Sequence, residues 1–269
     1  MAATLFKDEN CSGASQAITT DVPDLKDTPV KYAASSMALT AASDAVLLFM
    51  KKKYDGDVMF RTGKQEIRKL SSPAKGGRTG FGNTVGSARR TPFTVRLFVN
   101  IVANDDGSFP GVDDFNTFIA DTVAVANTIW NKFLIQLEVS EIVTRRSTTL
   151  HELRAELYPL LWKNWQKPGH ANVYFVGDLH NASGICPPVG FGKGAVVSCE
   201  GSTNTKRSGD ILAHELGHYF GISKHEKDDG TNLMTKTSKV SKGVLRDTQV
   251  EEVHRTLTKN IGRTSLRME

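Results

Sequence analysis

Residues 214–225 read His-Glu-Leu-Gly-His-Tyr-Phe-Gly-Ile-Ser-Lys-His, and few folds can use such a segment. On a helix, His214 and His218 lie four residues apart and project from the same face. Two imidazoles at that spacing can bind one Zn²⁺, and Glu215 can reach a water on the metal without being a ligand. The segment therefore predicts a metal-binding helix that must be followed by a sharp turn.

Gly221 and His225 predict how a third ligand reaches the metal. Glycine adopts the left-handed conformation easily, so Gly221 can end the helix and turn the chain back. His225 would then supply a third nitrogen. Three protein ligands leave the fourth position open for water, which is the arrangement of catalytic rather than structural zinc sites.

The segment 214–225, together with Met234 after it, resembles the zinc signature and Met-turn of the metzincin metallopeptidases. The resemblance implies a zinc-dependent endopeptidase in which Met234 forms an apolar floor beneath the metal. The zinc ion would lower the pKa of a bound water and polarise the scissile carbonyl. Glu215 would take the proton of that water and pass it to the leaving amine.

This chain departs from the family pattern at the third ligand. The pattern puts that ligand three residues after the glycine, where Lys224 stands, and a protonated lysine does not bind zinc. Either the loop is longer by one residue and His225 is the ligand, which we favour, or Asp228 or Asp229 takes its place. The tyrosine that some branches carry two residues after the methionine is replaced by Lys236, so no tyrosine donor is carried over.

The hydrophobic pattern of residues 92–269 alternates between the periods of strands and helices. It predicts strands over 93–102, 134–143, 172–177 and 194–198. It predicts helices over 112–133, over 149–165 with a break near Pro159, and over 247–259, besides the metal-binding helix that ends at Gly221. This order resembles an α/β metzincin-like domain, with a twisted mixed sheet, zinc helix, Met-turn and C-terminal helix, most similar to the pappalysin-type and adamalysin-like branches. In that family the strand before the zinc helix is an edge strand, so the resemblance implies that a protein or peptide substrate pairs with Ala195–Ser198.

Residues 1–91 contain an internal repeat. Phe6–Gly13 and Phe49–Gly56 align at a spacing of 43 residues, and each is followed by a segment that ends in serine, at 34–36 and 85–87. Two copies of one motif indicate two copies of one supersecondary unit. The pattern resembles the paired Greek-key motifs of βγ-crystallins, which implies an all-β double Greek-key sandwich as the first domain.

Many βγ-crystallins bind Ca²⁺ through a motif rich in asparagine and aspartate. The matching stretches of this chain, 31–36 and 82–87, lack most of those ligands. Because Ca²⁺ prefers several hard oxygen ligands, we expect weak Ca²⁺ binding or none. Cys11 stands where the family has an aromatic residue, and we expect a packed thiol there.

The formal net charge of +5 comes wholly from the first domain. Residues 1–91 hold 14 Lys and Arg against 9 Asp and Glu, whereas residues 92–269 hold 20 of each. The basic residues in question are Lys51–Lys53, Arg61, Arg68, Lys69, Arg78, Arg89 and Arg90. They predict contact with an anionic surface such as a membrane or an acidic glycan, or else a solvated face, and no specific nucleic acid.

The three cysteines are too few for a disulfide framework. Cys186 and Cys199 flank the loop before the zinc helix, and the sequence leaves open whether they form a disulfide. No apolar run reaches membrane-spanning length, and no signal peptide is visible before the first strand. Three explanations stay open: export by a route that needs no leader, earlier removal of a leader, or a role inside the cell. Of these we favour secretion or extracellular delivery.

Three hypotheses follow for the function of the whole chain. The first is a zinc endopeptidase with a βγ-crystallin-like accessory domain. The second is a catalytically weak or inactive zincin fold that acts as a binding module through its basic first domain, and the displaced third histidine favours it. The third makes the first domain an inhibitory prodomain that is released by cleavage near Arg89–Arg90.

Overall fold

The computed structural model describes residues 3–260 apart from 43, 55–56, 68–69, 71–84, 181, 187–193, 200–203, 228–230 and 236–242. The chain divides into two compact units. The first unit joins Met1–Pro92 to Arg246–Lys259, and the second is built on Phe93–Leu245. The chain therefore leaves the first unit, forms the second and returns. Among the described helices, none combines the length and the apolar character needed to cross a bilayer.

The first unit contains two antiparallel sheets. Its strands are β1 (Ala3–Asp8), β2 (Ser12–Ile18), β3 (Ser36–Leu39), β4 (Ala45–Phe49), β5 (Val58–Thr62), β6 (Gln65–Ile67) and β7 (Ser87–Arg89). The sheet orders are β2-β1-β3-β6 and β5-β4-β7. β6 comes from the second half of the sequence but lies in the first sheet, while Val22 from the first half pairs with Ala88 of β7. Each half thus lends a strand to the other sheet, as two interlocked Greek keys do.

The internal repeat is confirmed by matching hydrogen bonds in its two copies. The Ser36 hydroxyl donates to the Asp8 carbonyl (2.5 Å) and accepts from the N–H of Cys11 (2.9 Å). The Ser87 hydroxyl likewise donates to the carbonyl of Lys51 (2.7 Å) and accepts from the N–H of Tyr54 (3.0 Å). Gly13 has the left-handed φ of +76° that the motif requires, whereas its counterpart Gly56 lies outside the described residues.

Three arginines that the sequence analysis counts as part of a basic surface are engaged inside the first unit. Arg61 is buried and pairs with Glu251, and the other two, Arg89 and Arg90, lie at the end of the unit. Arg89 is buried and donates to the carbonyls of Thr91 and Pro92, each at 3.0 Å. Arg90 forms an ion pair with the buried Asp44 at 3.1 Å. Arg89 and Arg90 stabilise the end of this unit, so neither offers the exposed cleavage site that the prodomain hypothesis needs.

The other basic residues of the predicted anion-binding surface divide into two groups. Lys51–Lys53 are exposed, so they remain candidates for contact with an anionic surface. Arg68, Lys69 and Arg78 lie outside the described residues.

The two calcium motifs are described only in part, since residues 82–84 of the second motif lie outside the described residues. In the first calcium motif, Lys31 and Tyr32 both adopt left-handed φ angles, of 41° and 66°.

The terminal helix α5 (Asp247–Asn260) belongs to the first unit and not, as the sequence analysis has it, to the second. The reason is a set of contacts with β5. Arg61 forms ion pairs with Glu251 (3.1 Å) and Asp247 (3.6 Å), and the Phe60 ring stacks on His254. Helical periodicity predicted the helix correctly, but it carries no information on which distant strand the helix covers.

The second unit is a five-stranded mixed sheet with helices on both faces. Its elements are β8 (Phe93–Ala103), α1 (Phe115–Trp130), β9 (Ile135–Arg146), α2 (Thr148–His151), α3 (Tyr158–Trp165), β10 (Ala171–Val176), β11 (Gly184–Ile185), β12 (Ala195–Ser198) and α4 (Thr205–Tyr219). On β10, Tyr174 packs in a cluster with Leu161 of α3, while Phe175 contacts Phe118 of α1. This alternation is that of a strand buried on both faces. Each predicted strand of this region is present. The helix predicted over 149–165 is split into α2 and α3 by residues 152–157, and Pro159 lies in the first turn of α3, just after the interruption.

The strand order places the sheet edge elsewhere than the sequence analysis does. The order is β11-β12-β10-β8-β9, with β11 antiparallel and the others parallel. Ala195–Ser198 is therefore paired on both sides, and its prediction as an edge strand was wrong. Among the described strands the edge on that side is Gly184–Ile185. Two residues are too short to show a strand period, which is why the sequence pattern missed them.

The structure has no disulfide between Cys186 and Cys199, which the sequence left open, and both thiols are buried. Strand register explains this. Ile185 pairs with Val196, so Cys186 lies near residue 195, whereas Cys199 lies beyond the other end of β12. Four residues of extended chain span about 13 Å, while a disulfide needs Cα atoms less than about 7 Å apart.

We predict that Glu251→Ala destabilises the first unit by about 3 kcal/mol, because it leaves the buried Arg61 guanidinium without its closest carboxylate. The free energy of unfolding can be followed in urea through hydrogen exchange of the amides of β4 and β5.

The matched control is Glu252→Ala on the same helix. Glu252 pairs with Arg255 at the surface, and its side chain is 49% exposed, so we expect a loss below about 1 kcal/mol. Equal losses for the two variants would show that α5 does not stabilise this unit through Arg61.

Candidate metal centre

The helix α4 is capped at both ends in ways that its sequence explains. The Asn204 side chain accepts a hydrogen bond from the N–H of Arg207 (3.1 Å) at the N-terminal end. At the other end Gly221 has a φ of +108°, and its N–H donates to the carbonyl of His218 (3.0 Å). The predicted left-handed turn at Gly221 is confirmed, and it directs the following residues back toward the helix.

His214, His218 and His225 come together after this turn. The Nε2 atom of His225 lies 3.2 Å from Nε2 of His214 and 3.1 Å from Nε2 of His218. All three side chains can offer a ligand atom within 4.8 Å of the others. The structure thus joins the two helical histidines and the residue that follows Lys224.

Backbone carbonyls fix the ring orientation of the two helical histidines. Nδ1 of His214 lies 2.7 Å from the carbonyl oxygen of Leu233, and Nδ1 of His218 lies 2.6 Å from that of Ile222. A carbonyl only accepts, so each Nδ1 carries the proton and donates it. Each Nε2 then carries a lone pair, and both lone pairs point toward His225. This is the outer arrangement that metal-binding histidines commonly have.

The geometry fits a zinc ion. Lone pairs on the Nε2 atoms of His214 and His218 cannot hydrogen bond to each other, and His225 has a single Nε2 to share between them. Tetrahedral coordination with Zn–N distances of 2.0–2.1 Å separates the ligand nitrogens by about 3.3 Å. The observed separations of 3.1 and 3.2 Å are close to this value. These three residues could hold a zinc ion through three nitrogens and leave a fourth position open.

Burial favours the neutral, metal-binding form of the two helical imidazoles, those of His214 and His218. It lowers the pKa of His214 to about 4, although the hydrogen bond to Leu233 raises it in part. Burial lowers the pKa of His218 as well. Neutral imidazole is the form that binds a metal, so the site is prepared for a cation at neutral pH.

The loop after the helix is tied to the turn that contains Met234. The N–H of Glu226 donates to the carbonyl of Met234 (2.8 Å), directly after His225. Met234 is fully buried, and a Cβ at Gly217 would lie 2.4 Å from its sulfur. Met234 therefore packs against the helix between the two histidines, and Gly217 provides the space for it.

The alternative third ligands are placed differently. Lys224 is exposed to solvent, as a strongly hydrated ammonium prefers. Asp228 and Asp229 lie outside the described residues, as does Lys236. His225 is the candidate that the structure brings to the two helical histidines.

Glu215 is buried against the edge strand. Its side chain is only 6% exposed, and its carboxylate accepts a hydrogen bond from the backbone N–H of Cys186. Burial raises the pKa of Glu215 to about 8, against the lowering effect of that N–H. Glu215 is not part of the group of ligand atoms that the histidines form.

Four contributors to the site escaped the sequence analysis. The carbonyls of Ile222 and Leu233 belong to the backbone, so their residue types gave no signal. Gly184 and Gly217 contact Glu215 and Met234 through their lack of a side chain. The packing at Gly217 could have been predicted, because a glycine inside a helix often marks a place where another part of the chain approaches closely.

Comparison with known proteins bears on the fold alone. No protein-family model matches the sequence, and no curated protein matches it. Among solved structures the chain is similar to a βγ-crystallin from Ciona intestinalis, with 19% identity and a TM-score of 0.29 over 34% of this chain and 100% of the other. It is also similar to an archaeal βγ-crystallin (18% identity, TM-score 0.27, 33% of this chain and 95% of the other). The similar part is a βγ-crystallin-like β domain that amounts to about a third of the sequence.

We predict that His225→Ala lowers zinc affinity by more than about 100-fold, which exceeds the roughly 10–100-fold effect of losing an outer-shell partner. The neighbouring variant Lys224→Ala should leave the affinity unchanged, since its side chain is exposed. Competition with a chromophoric chelator measures both. If His225→Ala retains the affinity of the unmodified chain, an aspartate in 228–229 becomes the better candidate for the third ligand.

Proposed function

We propose that this protein is a zinc-dependent metalloendopeptidase whose zinc ligands are His214, His218 and His225. The observation that carries the proposal is the convergence of three Nε2 atoms at zinc-ligand spacing, with Nδ1 of both helical histidines committed to backbone carbonyls. Three protein ligands and one open position are typical of catalytic rather than structural zinc.

A bound zinc ion would acidify a water, polarise the scissile carbonyl and, by its charge, favour the ionised form of a nearby carboxyl group. Glu215 then acts as the general base. Its carboxylate takes a proton from the attacking water and returns it to the nitrogen of the leaving amine. Burial helps this proton transfer, because a carboxyl group whose pKa lies near neutrality can both accept and release a proton.

The proposed substrate is an extended peptide or protein segment. Among the described residues β11 (Gly184–Ile185) pairs with β12 alone, and a strand edge without a partner can accept a further strand through backbone hydrogen bonds. The substrate would thus pair with β11 and not with Ala195–Ser198. Because β11 also contacts Glu215, a peptide at this edge would lie beside the proposed base.

The role of the first unit and the site of action remain predictions. The exposed Lys51–Lys53 segment would provide the contact with an anionic surface, and secretion or extracellular delivery would suit a peptidase. For Ca²⁺ we continue to expect weak binding or none.

The alternative function is that of an inactive binding module. The displaced third histidine favoured it, but the longer loop brings His225 to the other two histidines, so that support is removed. Release of an inhibitory prodomain is also disfavoured. A cut near Arg89–Arg90 would leave α5 bound to the first unit and covalently joined to the second.

We expect Glu215→Ala to lower kcat by about 100–10,000-fold, which is the usual contribution of general acid–base catalysis. One equivalent of zinc should remain bound to the variant. Removal of zinc with a chelator should abolish cleavage of an unstructured protein substrate, and added Zn²⁺ should restore it.

The control for this experiment is Glu138→Ala, which removes an exposed carboxylate from β9 in the same unit and should leave cleavage unchanged. Cleavage that persists in Glu215→Ala or in the metal-free protein would refute the proposal. Stoichiometric zinc without any turnover would favour the binding-module alternative.

A further inference from the structure

Gly184 faces the proposed base directly. A Cβ built on Gly184 would lie 2.6 Å from Oε1 and 2.8 Å from Cγ of Glu215, and 2.6 Å from a methyl of Ile211. Gly184 does not adopt a left-handed φ, so the reason for glycine here is space and not backbone conformation. Any side chain at this position would have to occupy volume that the Glu215 carboxylate now fills.

The second contact comes from the residue that directly follows the strand. The N–H of Cys186 donates to the Glu215 carboxylate, which is otherwise deeply buried. A buried carboxylate is costly without such a donor, and a hydrogen bond to a charged acceptor is among the stronger ones. Gly184 and the Cys186 N–H together form the feature that we name the carboxylate pocket.

The backbone of the carboxylate pocket is anchored on its inner side. Gly184 pairs with Val197 and Ile185 with Val196, and the N–H of Ser198 donates to the carbonyl of Ser183 (2.9 Å). The Glu215 side chain, by contrast, has several rotatable bonds. A methyl group at position 184 is therefore relieved most cheaply by a shift of the carboxylate and not by a shift of the strand.

We propose that Gly184 and the Cys186 N–H position the carboxylate of Glu215 for proton transfer, so that the segment proposed to pair with the substrate also holds the base. Gly184 is a positioning residue and takes no part in the chemistry. The expected effect on kcat rests on the proposed peptidase function. The packing of Gly184 against Glu215 does not, and it can be tested without any substrate.

The kinetic test is Gly184→Ala in the full zinc-loaded chain. Misplacement of a reacting group by about 1 Å costs on the order of 100-fold in rate, so we expect kcat to fall by about that factor. KM should change little, because the outer edge of β11 is intact, and zinc content should stay at one equivalent.

The matched control is Gly177→Ala in the same unit. Its Cβ would lie 2.1 Å from Nε2 of His151, so it introduces a comparable clash away from Glu215. We expect a lower melting temperature with kcat per bound zinc retained. If Gly184→Ala keeps the kcat of the unmodified chain while Glu215→Ala is inactive, the positioning role is refuted and the peptidase function stands.

A double-mutant cycle on thermal unfolding tests the same packing without any substrate. If the methyl group clashes with Glu215, Gly184→Ala should lower the melting temperature less in a Glu215→Ala background than in the unmodified chain. If the single variant Gly184→Ala does not fold, the double variant Gly184→Ala/Glu215→Ala should fold, because the side chain that clashes with the new methyl group has been removed. Equal losses in both backgrounds, or failure of both variants to fold, would overturn the proposal.

Amide hydrogen exchange at Cys186 gives an independent readout. Its N–H is bonded to the Glu215 carboxylate, so exchange should be faster in Gly184→Ala and in Glu215→Ala, while the amides of Val196 and Val197 stay protected. Unchanged exchange at Cys186 in both variants would contradict the carboxylate pocket even if the protein proves to have no peptidase activity.

Discussion

Two backbone carbonyls determine what the histidine cluster can do. The carbonyls of Ile222 and Leu233 hold the protons of His218 and His214 on Nδ1, which leaves a lone pair on each Nε2. The two turns that follow the helix place these carbonyls beside the histidine rings. Gly221 reverses the chain so that Ile222 returns to the helix, and the turn at Met234 presents the carbonyl just before it. Without these acceptors the rings would be free to rotate and the nitrogens would not face a common point.

Because the chain returns to the first unit after forming the second, the first unit is built from two separate stretches of the sequence. The second unit is inserted between the two parts of the first, since α5 completes the unit that begins at the N-terminus. The buried pair of Arg61 and Glu251 gives this association chemical specificity, because either charge alone would be left in a poorly solvated position. A domain built from both ends of a chain resists separation by a single backbone cut. This organisation is therefore more consistent with a permanent accessory domain than with a removable one.

The accuracy of prediction from sequence depends on how far apart the interacting residues lie. The spacing of His214 and His218 and the turn at Gly221 are local, and the structure has them as predicted. The Greek-key repeat was detectable because a copy of the motif recurs within the chain. Errors arose where contacts are distant: the edge at β11 follows from strand register, and the unit to which α5 belongs follows from its contacts with β5. The separation of Cys186 from Cys199, which the sequence left open, also follows from register. Register is set by packing of whole sheets, and a short strand has too few residues to reveal it.

In the proposed peptidase, the position of β11 would couple substrate binding to the orientation of the base. A strand of two residues has little stability of its own, and among the described residues it pairs with β12 alone. A peptide added at the outer edge would supply further hydrogen bonds and hold the strand more firmly. Because Gly184 belongs to this strand and the Cys186 N–H follows it directly, that added order would extend to the Glu215 carboxylate. Binding energy from parts of the substrate that do not react would then contribute to catalysis through the orientation of the base, and not through affinity alone.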